Sequence, residues 1–221
     1  MRWGLKETGT YVAREITEAH VYKGLRFSLM SPLLKDKELR KLTPMIPLYF
    51  MTVAFELGCV LALAKVFAKD NEPGLDCLIQ IAKAVPTEVA EAKLSETVKA
   101  NLKDWFDGNR ATFLRNAESY GKEIARIRDK LRPLRNTQRA HNFPELAKKA
   151  NTTLSEFQEW LTFAERVYGQ AMSAAGEGGL SVGGFLPVTF KADVQYMLHI
   201  IRVGVKNLEG NSSTSISSAV S

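Results

Sequence analysis

The chain has 221 residues, of which 45% are hydrophobic, and it carries a formal net charge of +6 with a pI near 9.3. This composition predicts a globular core, and the excess of Lys and Arg favours polyanionic partners. Cys59 and Cys77 are the only cysteines and form no CxxC pair, which excludes the usual zinc and redox motifs and indicates a reducing compartment, the cytoplasm.

The hydrophobic periodicity is helical along almost the whole chain, without a convincing alternating strand. We therefore predict an all-α bundle of about six helices in one domain, residues 1–209, followed by a disordered Ser-rich tail, residues 210–221. The predicted helical segments are residues 6–29, 44 or 47 to 68, 75–84, 87–105, 110–132, 154–174 and 189–208.

Prolines and glycines set the predicted boundaries. Pro32 should end the first helix, because proline cannot continue the hydrogen-bond ladder. The triplet Asp107-Gly108-Asn109 should interrupt the long helical stretch in the middle of the chain, and Pro133 should kink or restart it. Residues 176–184 are too rich in glycine for regular structure.

The apolar segment 46–67 has the length of a membrane span but contains Glu56 and Lys65. A charge at the middle of a bilayer costs at least ~2.5 kcal/mol, so we predict a buried central helix and no contact with a membrane. Residues 1–30 carry charges throughout, which is not the pattern of a signal peptide.

Four arginines, Arg128, Arg132, Arg135 and Arg139, recur at i, i+4, i+7 and i+11 and form one stripe on a straight helix. Like charges at this spacing repel one another by a few tenths of a kcal/mol. The stripe therefore needs either carboxylates, such as Glu118, Glu123 or Asp129, or an external anion. The first alternative is a solvated face with salt bridges, and the second is a phosphate-binding face.

His141 follows the stripe, and a histidine can move protons near neutral pH. On a straight helix His141 lies about 120° round from Arg135, so the two side chains do not meet directly. They can meet if the helix ends near Ala140, as the sequence Phe143-Pro144 favours, or if a second chain completes the site.

A mostly helical chain with Arg135-Asn136 and then Ala140-His141 near the end of a core helix resembles the HEPN superfamily of ribonucleases. The stretches 63–70, 75–81 and 131–141 are similar to the AbiU-type abortive-infection branch of that superfamily. The similarity covers residues 10–208, and its specific part is the Arg-Asn-x4-His motif.

The resemblance implies a helical bundle that dimerises about a two-fold axis and cleaves RNA without metal or cofactor. Arg135 would bind the phosphate, Asn136 would orient groups, and His141 would act as acid or base. If the stripe is a phosphate-binding face, Arg128, Arg132 and Arg139 would hold the RNA. It also implies a defence or toxin role, with an antitoxin or regulatory protein as a further partner. Some HEPN toxins are modified at a Tyr that corresponds to Phe143, so that route of inactivation is not expected.

The alternative is a catalytically silent helical module that binds RNA or protein, because a fold does not imply an activity. His20 and His199 lie beside apolar residues and are predicted to be packed or surface histidines. Trp3, Trp105 and Trp160 are scattered along the sequence, and we predict them to be anchors of a core or an interface. No His, Asp and Glu cluster has the spacing of a metal site.

Overall fold

Helices form the regular structure of the chain in the computed structural model, which describes residues 3–37, 45–69, 72–94, 96–137 and 154–177 together with Tyr196, His199, Ile200 and Val203. Its six helices are α1 (Leu5–Lys35), α2 (Met45–Val66), α3 (Leu75–Ala84), α4 (Thr87–Ala92), α5 (Glu96–Thr137) and α6 (Leu154–Ala174). No strand occurs in these ranges, so the all-α prediction is confirmed. The predicted tail and most of the predicted helix 189–208 lie outside the described residues.

The chain divides into two compact units. The first consists of residues 1–20 and 57–184, and the second of residues 21–56 and 185–221. Both α1 and α2 run from one unit into the other. The single domain predicted over residues 1–209 stays a prediction.

The core of the first unit lies where α3, α5 and α6 pack on one another. Helix α6 contributes an apolar face at helical spacing, with Trp160, Ala164, Val167 and Ala171 almost fully buried. The residues that α5 and α3 bury in the same unit include Phe113, Ile124, Ile127, Leu75 and Leu78. This arrangement fixes the orientation of α5 about its own axis and therefore decides which of its residues face solvent.

Helix α5 is longer than predicted, because it runs without interruption through Gly108 and Pro133. Phe106 and Arg110 are buried on either side of the predicted break, and the side-chain Nδ2 of Asn109 donates to the carbonyl of Trp105 at 2.6 Å. A helical glycine costs only about 1 kcal/mol relative to alanine, which burial of its neighbours offsets. Leu131 and Leu134 are likewise buried on either side of Pro133.

Helix α1 continues through Pro32 to Lys35, so the predicted end at Pro32 is wrong. Contacts within the second unit hold this part of the helix. Arg26 forms an ion pair with Glu56 at 2.5 Å, and the hydroxyl of Thr52 lies 3.3 Å from the sulfur of Met30. These contacts help offset the one hydrogen bond that a helical proline removes.

Helix α2 is buried in its C-terminal half, where Cys59, Val60, Leu63 and Val66 are at most 3% exposed. Its N-terminal half exposes Phe50, which is 64% accessible. The predicted burial of this helix therefore holds for one face of its C-terminal half, because Leu61 and Lys65 in the same half are exposed. No helix in the described ranges is long and apolar enough to cross a membrane.

Gly176 ends α6 with a left-handed backbone, φ +75°. The amide of Gly176 donates to the carbonyl of Ser173, and the amide of Glu177 donates to that of Met172. These two bonds form a Schellman motif, which satisfies the last carbonyls of the helix. Arg110 of α5 donates to the carbonyl of Ala174 in the same turn and to that of Val85 after α3. The ends of α3 and α6 are thereby tied to α5.

Candidate nucleic-acid interface

The arginine stripe occupies the last third of α5. Arg128 is half-buried, whereas Arg132, Arg135 and Asn136 are exposed. Arg139 and His141 lie outside the described residues. The structure therefore has three arginines and the asparagine of the predicted site on one continuous helix. The position of His141 relative to them stays a prediction.

A cleft of about 490 Å³ runs along this stripe, between α5 and the C-terminal end of α2. It is lined by four cationic side chains and two carboxylates, together with apolar groups from both helices. The lining residues are Lys69, Arg128, Arg132, Arg135, Glu72, Asp129, Ala64, Phe67, Ala68, Ala125 and Leu131. Cations outnumber carboxylates, so the cleft suits an anionic ligand.

Arg128 is held by acceptors inside the fold. Its Nε donates to the carbonyl of Phe67 at 2.7 Å, and one Nη donates to the carbonyl of Ala68 at 3.2 Å and to the carboxylate of Asp76. Phe67 and Ala68 directly follow α2, where helical carbonyls lack partners within their own helix. Arg128 thus caps α2 and joins it to α3 and α5. The RNA contact predicted for Arg128 stays a prediction.

Arg132 and Arg135 differ from Arg128, because neither forms an ion pair with a carboxylate in the described part of the chain. Two of the three acidic residues expected to neutralise the stripe are engaged elsewhere, because Glu118 pairs with Lys122 and Glu123 pairs with Arg126. Accordingly, the pKa of Glu123 is lowered, chiefly by its hydrogen bond from Arg126. The third acidic residue, Asp129, lines the cleft itself. Two exposed guanidinium groups therefore remain in the cleft to meet an external anion.

Lys69 is a cation of this cleft that the arginine pattern did not reveal. It lies three residues beyond the end of α2, and more than fifty residues separate it from the stripe in the sequence. Only the tertiary contact between the end of α2 and Arg128 of α5 brings it to the same cleft. A Lys at the end of a helix is common, so the sequence alone offered no signal for this role.

Two other histidines, His20 and His199, are among the described residues. His20 is half-buried, and its Nε2 lies 2.8 Å from a carboxylate oxygen of Glu165. His199 is exposed. Within the described ranges, no three His, Cys, Asp or Glu side chains are placed to hold a metal ion. Comparisons with protein-family models, curated proteins and solved structures gave no match to this chain.

Proposed function

We propose that the protein is a metal-independent endoribonuclease of the HEPN type, from a defence or toxin system of the abortive-infection kind. The observation that carries the proposal is the pair of exposed arginines, Arg132 and Arg135, in a cationic cleft just before His141. A guanidinium binds a phosphate through paired donors and stabilises the negative charge that develops on it.

In the proposed reaction, the 2′-hydroxyl of the ribose attacks the adjacent phosphorus, and the 5′-oxygen of the next nucleotide leaves. His141 removes or supplies the proton. Arg135 binds the phosphate oxygens, and Asn136 orients these groups. The products carry a 2′,3′-cyclic phosphate and a 5′-hydroxyl, so no metal-bound water is required. Arg132 and Arg139 bind the flanking phosphates, with Arg128 as a further RNA contact.

A homodimer with a composite site is part of the proposal, because Arg135 and His141 lie on different sides of a straight helix. Two α5 helices that meet about a two-fold axis bring the arginine of one chain to the histidine of the other. RNA is the proposed substrate, the cytoplasm the proposed location, and an antitoxin or regulatory protein a further partner.

A catalytically silent helical module is the second candidate. The observation that favours it is that the guanidinium of Arg128, one of the four arginines, binds acceptors within the protein, the carbonyl of Phe67 and the carboxylate of Asp76. Such a module uses the same cationic cleft to bind RNA or protein and needs no histidine. The two candidates therefore differ in what the loss of His141 does.

An RNA-cleavage assay of wild type beside His141→Ala and Arg135→Ala separates them. We expect His141→Ala to lower the cleavage rate by about 10² to 10⁴ while RNA binding stays nearly intact. Arg135→Ala should lose rate and some binding, because a phosphate clamp acts in the ground state and in the transition state. A chelator should leave the rate unchanged. Cleavage that persists in His141→Ala, or stops with chelator, contradicts the proposed site.

A further inference from the structure

A second cavity of the first unit lies next to the cationic cleft, at the N-terminal part of α1. It has a volume of about 590 Å³ and is lined by Trp3, Lys6, Tyr11, Arg14 and Pro73, among others. From the sequence we predict Trp3 to be an anchor of a core or an interface. In the structure, Trp3 lines the same cavity as Tyr11. The cavity thus combines two aromatic rings with two cations.

Arg14 is held in a defined position in this cavity. Its guanidinium donates to the carboxylate of Glu15 at 2.8 Å and lies 5.0 Å from the centroid of the Tyr11 ring. Glu15 is fully buried and is also paired with Lys65 at 3.0 Å. The Arg14 side chain nevertheless stays 59% exposed. A guanidinium fixed against an aromatic ring and open to solvent presents a plane on which a nucleobase can stack.

The backbone connects the two cavities directly. Glu72 lines the cationic cleft, and the next residue, Pro73, lines the aromatic cavity. The charge of the lining favours a nucleic-acid backbone at the cleft, which has four cations and two carboxylates. The aromatic cavity is lined by Lys6, Glu7 and Arg14, and Arg14 is paired with Glu15 and lies 3.9 Å from Glu18. The pKa of Tyr11 is raised, mainly by burial and next by Glu15, so its phenol stays neutral at physiological pH.

We infer that the cavity of Trp3, Tyr11 and Arg14 binds an unpaired nucleobase of the single-stranded RNA whose backbone lies in the cationic cleft. The base stacks on the Arg14–Tyr11 pair, and Trp3 forms another wall. This inference rests on the proposed function for the identity of the ligand and adds a base-binding subsite to it. It makes the protein selective for unpaired RNA, because a base within a duplex has no free face to stack on the Arg14–Tyr11 pair.

Binding of a single-stranded RNA of about ten nucleotides, a typical site size, tests the inference in full-length His141→Ala protein. The RNA carries one 2-aminopurine, whose fluorescence falls when it stacks. Tyr11→Leu removes the aromatic face but keeps bulk, and Tyr11→Phe is its matched control. Arg14→Lys keeps the charge beside Glu15 but removes the planar group, and it covers the case in which Tyr11→Leu does not fold.

We expect Tyr11→Leu and Arg14→Lys each to weaken binding about fivefold or more and to lose the quenching, while Tyr11→Phe binds like its parent. Duplex RNA of the same sequence should bind the parent more weakly than the single strand. Unchanged binding in both Tyr11→Leu and Arg14→Lys overturns the subsite, and so does an absence of any RNA binding.

The failures of the two proposals are distinguishable. If Arg132→Ala weakens binding but the Tyr11 and Arg14 variants do not, the subsite is wrong and the ribonuclease proposal stands. If binding depends on Tyr11 but the wild-type protein never cleaves RNA, the subsite stands and the protein is an RNA-binding module.

Discussion

At residue 176 the left-handed backbone conformation favours glycine. The φ of +75° costs a residue other than glycine roughly 1–2 kcal/mol, and a Cβ there would collide with the carbonyl oxygen of Ala90. Gly176→Ala should therefore lower the free energy of unfolding by about 2 kcal/mol or more, as measured by denaturant titration.

Gly169→Ala is the matched control in the same helix, because a Cβ there meets nothing within 4 Å. Alanine is the better helix former, so this change should stabilise the protein by about 0.5–1 kcal/mol. Equal effects of the two substitutions would contradict the structure of the α6 terminus.

Arg128 and Arg132 lie one helical turn apart but should respond differently to mutation. A lysine cannot reproduce the three contacts of Arg128, so Arg128→Lys loses hydrogen bonds to the carbonyls of Phe67 and Ala68. We expect a loss of about 2 kcal/mol in unfolding free energy. Arg132→Lys, at an exposed position, should stay within about 0.5 kcal/mol of wild type. A comparable loss in both variants would mean that Arg128 has no special structural role.

The stripe illustrates how much of the site the sequence predicts. A helical period of 3.6 places Arg128, Arg132 and Arg135 on one face, and the structure has them lining one cleft. The helical period does not show which residues from other parts of the chain contact that face. The carbonyls that bind Arg128 come from residues sixty positions earlier, and so does Lys69. Such partners follow only from the tertiary fold, which brings the end of α2 to Arg128 of α5.

At the scale of helices, the sequence predicts α3 and α6 with their observed bounds. The Gly74 and Pro86 that flank α3 are strong local signals, and α6 has a regular apolar face. Local signals fail for α5, because Asp107-Gly108-Asn109 resembles a turn whatever surrounds it. Burial of Phe106 and Arg110 outweighs that preference, and a sequence pattern does not show burial of this kind.

If the exposed face of α5 binds RNA as proposed, the binding should be sensitive to salt. Each phosphate neutralised in a single strand adds about 0.7 to the slope of log affinity against log salt concentration. The double variant Arg132→Ala/Arg139→Ala should therefore lower the slope by about 1.4. Titrations between low and physiological salt measure it.

Arg126→Ala is the control for that titration, because Arg126 lies on the same helix but is paired with Glu123. It should leave the slope unchanged. If the slope is the same in the Arg132→Ala/Arg139→Ala variant as in wild type, the stripe is an ordinary solvated face and not a phosphate-binding face.

For the whole molecule, the proposed dimer makes an unusual prediction about mixtures. If Arg135 of one chain works with His141 of the other, Arg135→Ala and His141→Ala proteins are each inactive alone. Mixed after joint refolding, they should regain part of the cleavage rate, because a mixed dimer contains one intact pair. Light scattering at micromolar concentration measures the dimer directly. A monomeric mass, or no recovery in the mixture, would contradict the composite site.

The Arg128 contacts have a consequence for the entropy of binding. Through them the end of α2, and with it Lys69, is fastened to the helix that carries Arg132 and Arg135. Both walls of the cleft are therefore ordered as a product of folding, before a ligand arrives. A preorganised site loses less conformational freedom on binding than one that must first assemble. In the proposed function, the contacts of Arg128 would thus increase what Lys69, Arg132 and Arg135 contribute to the affinity for RNA.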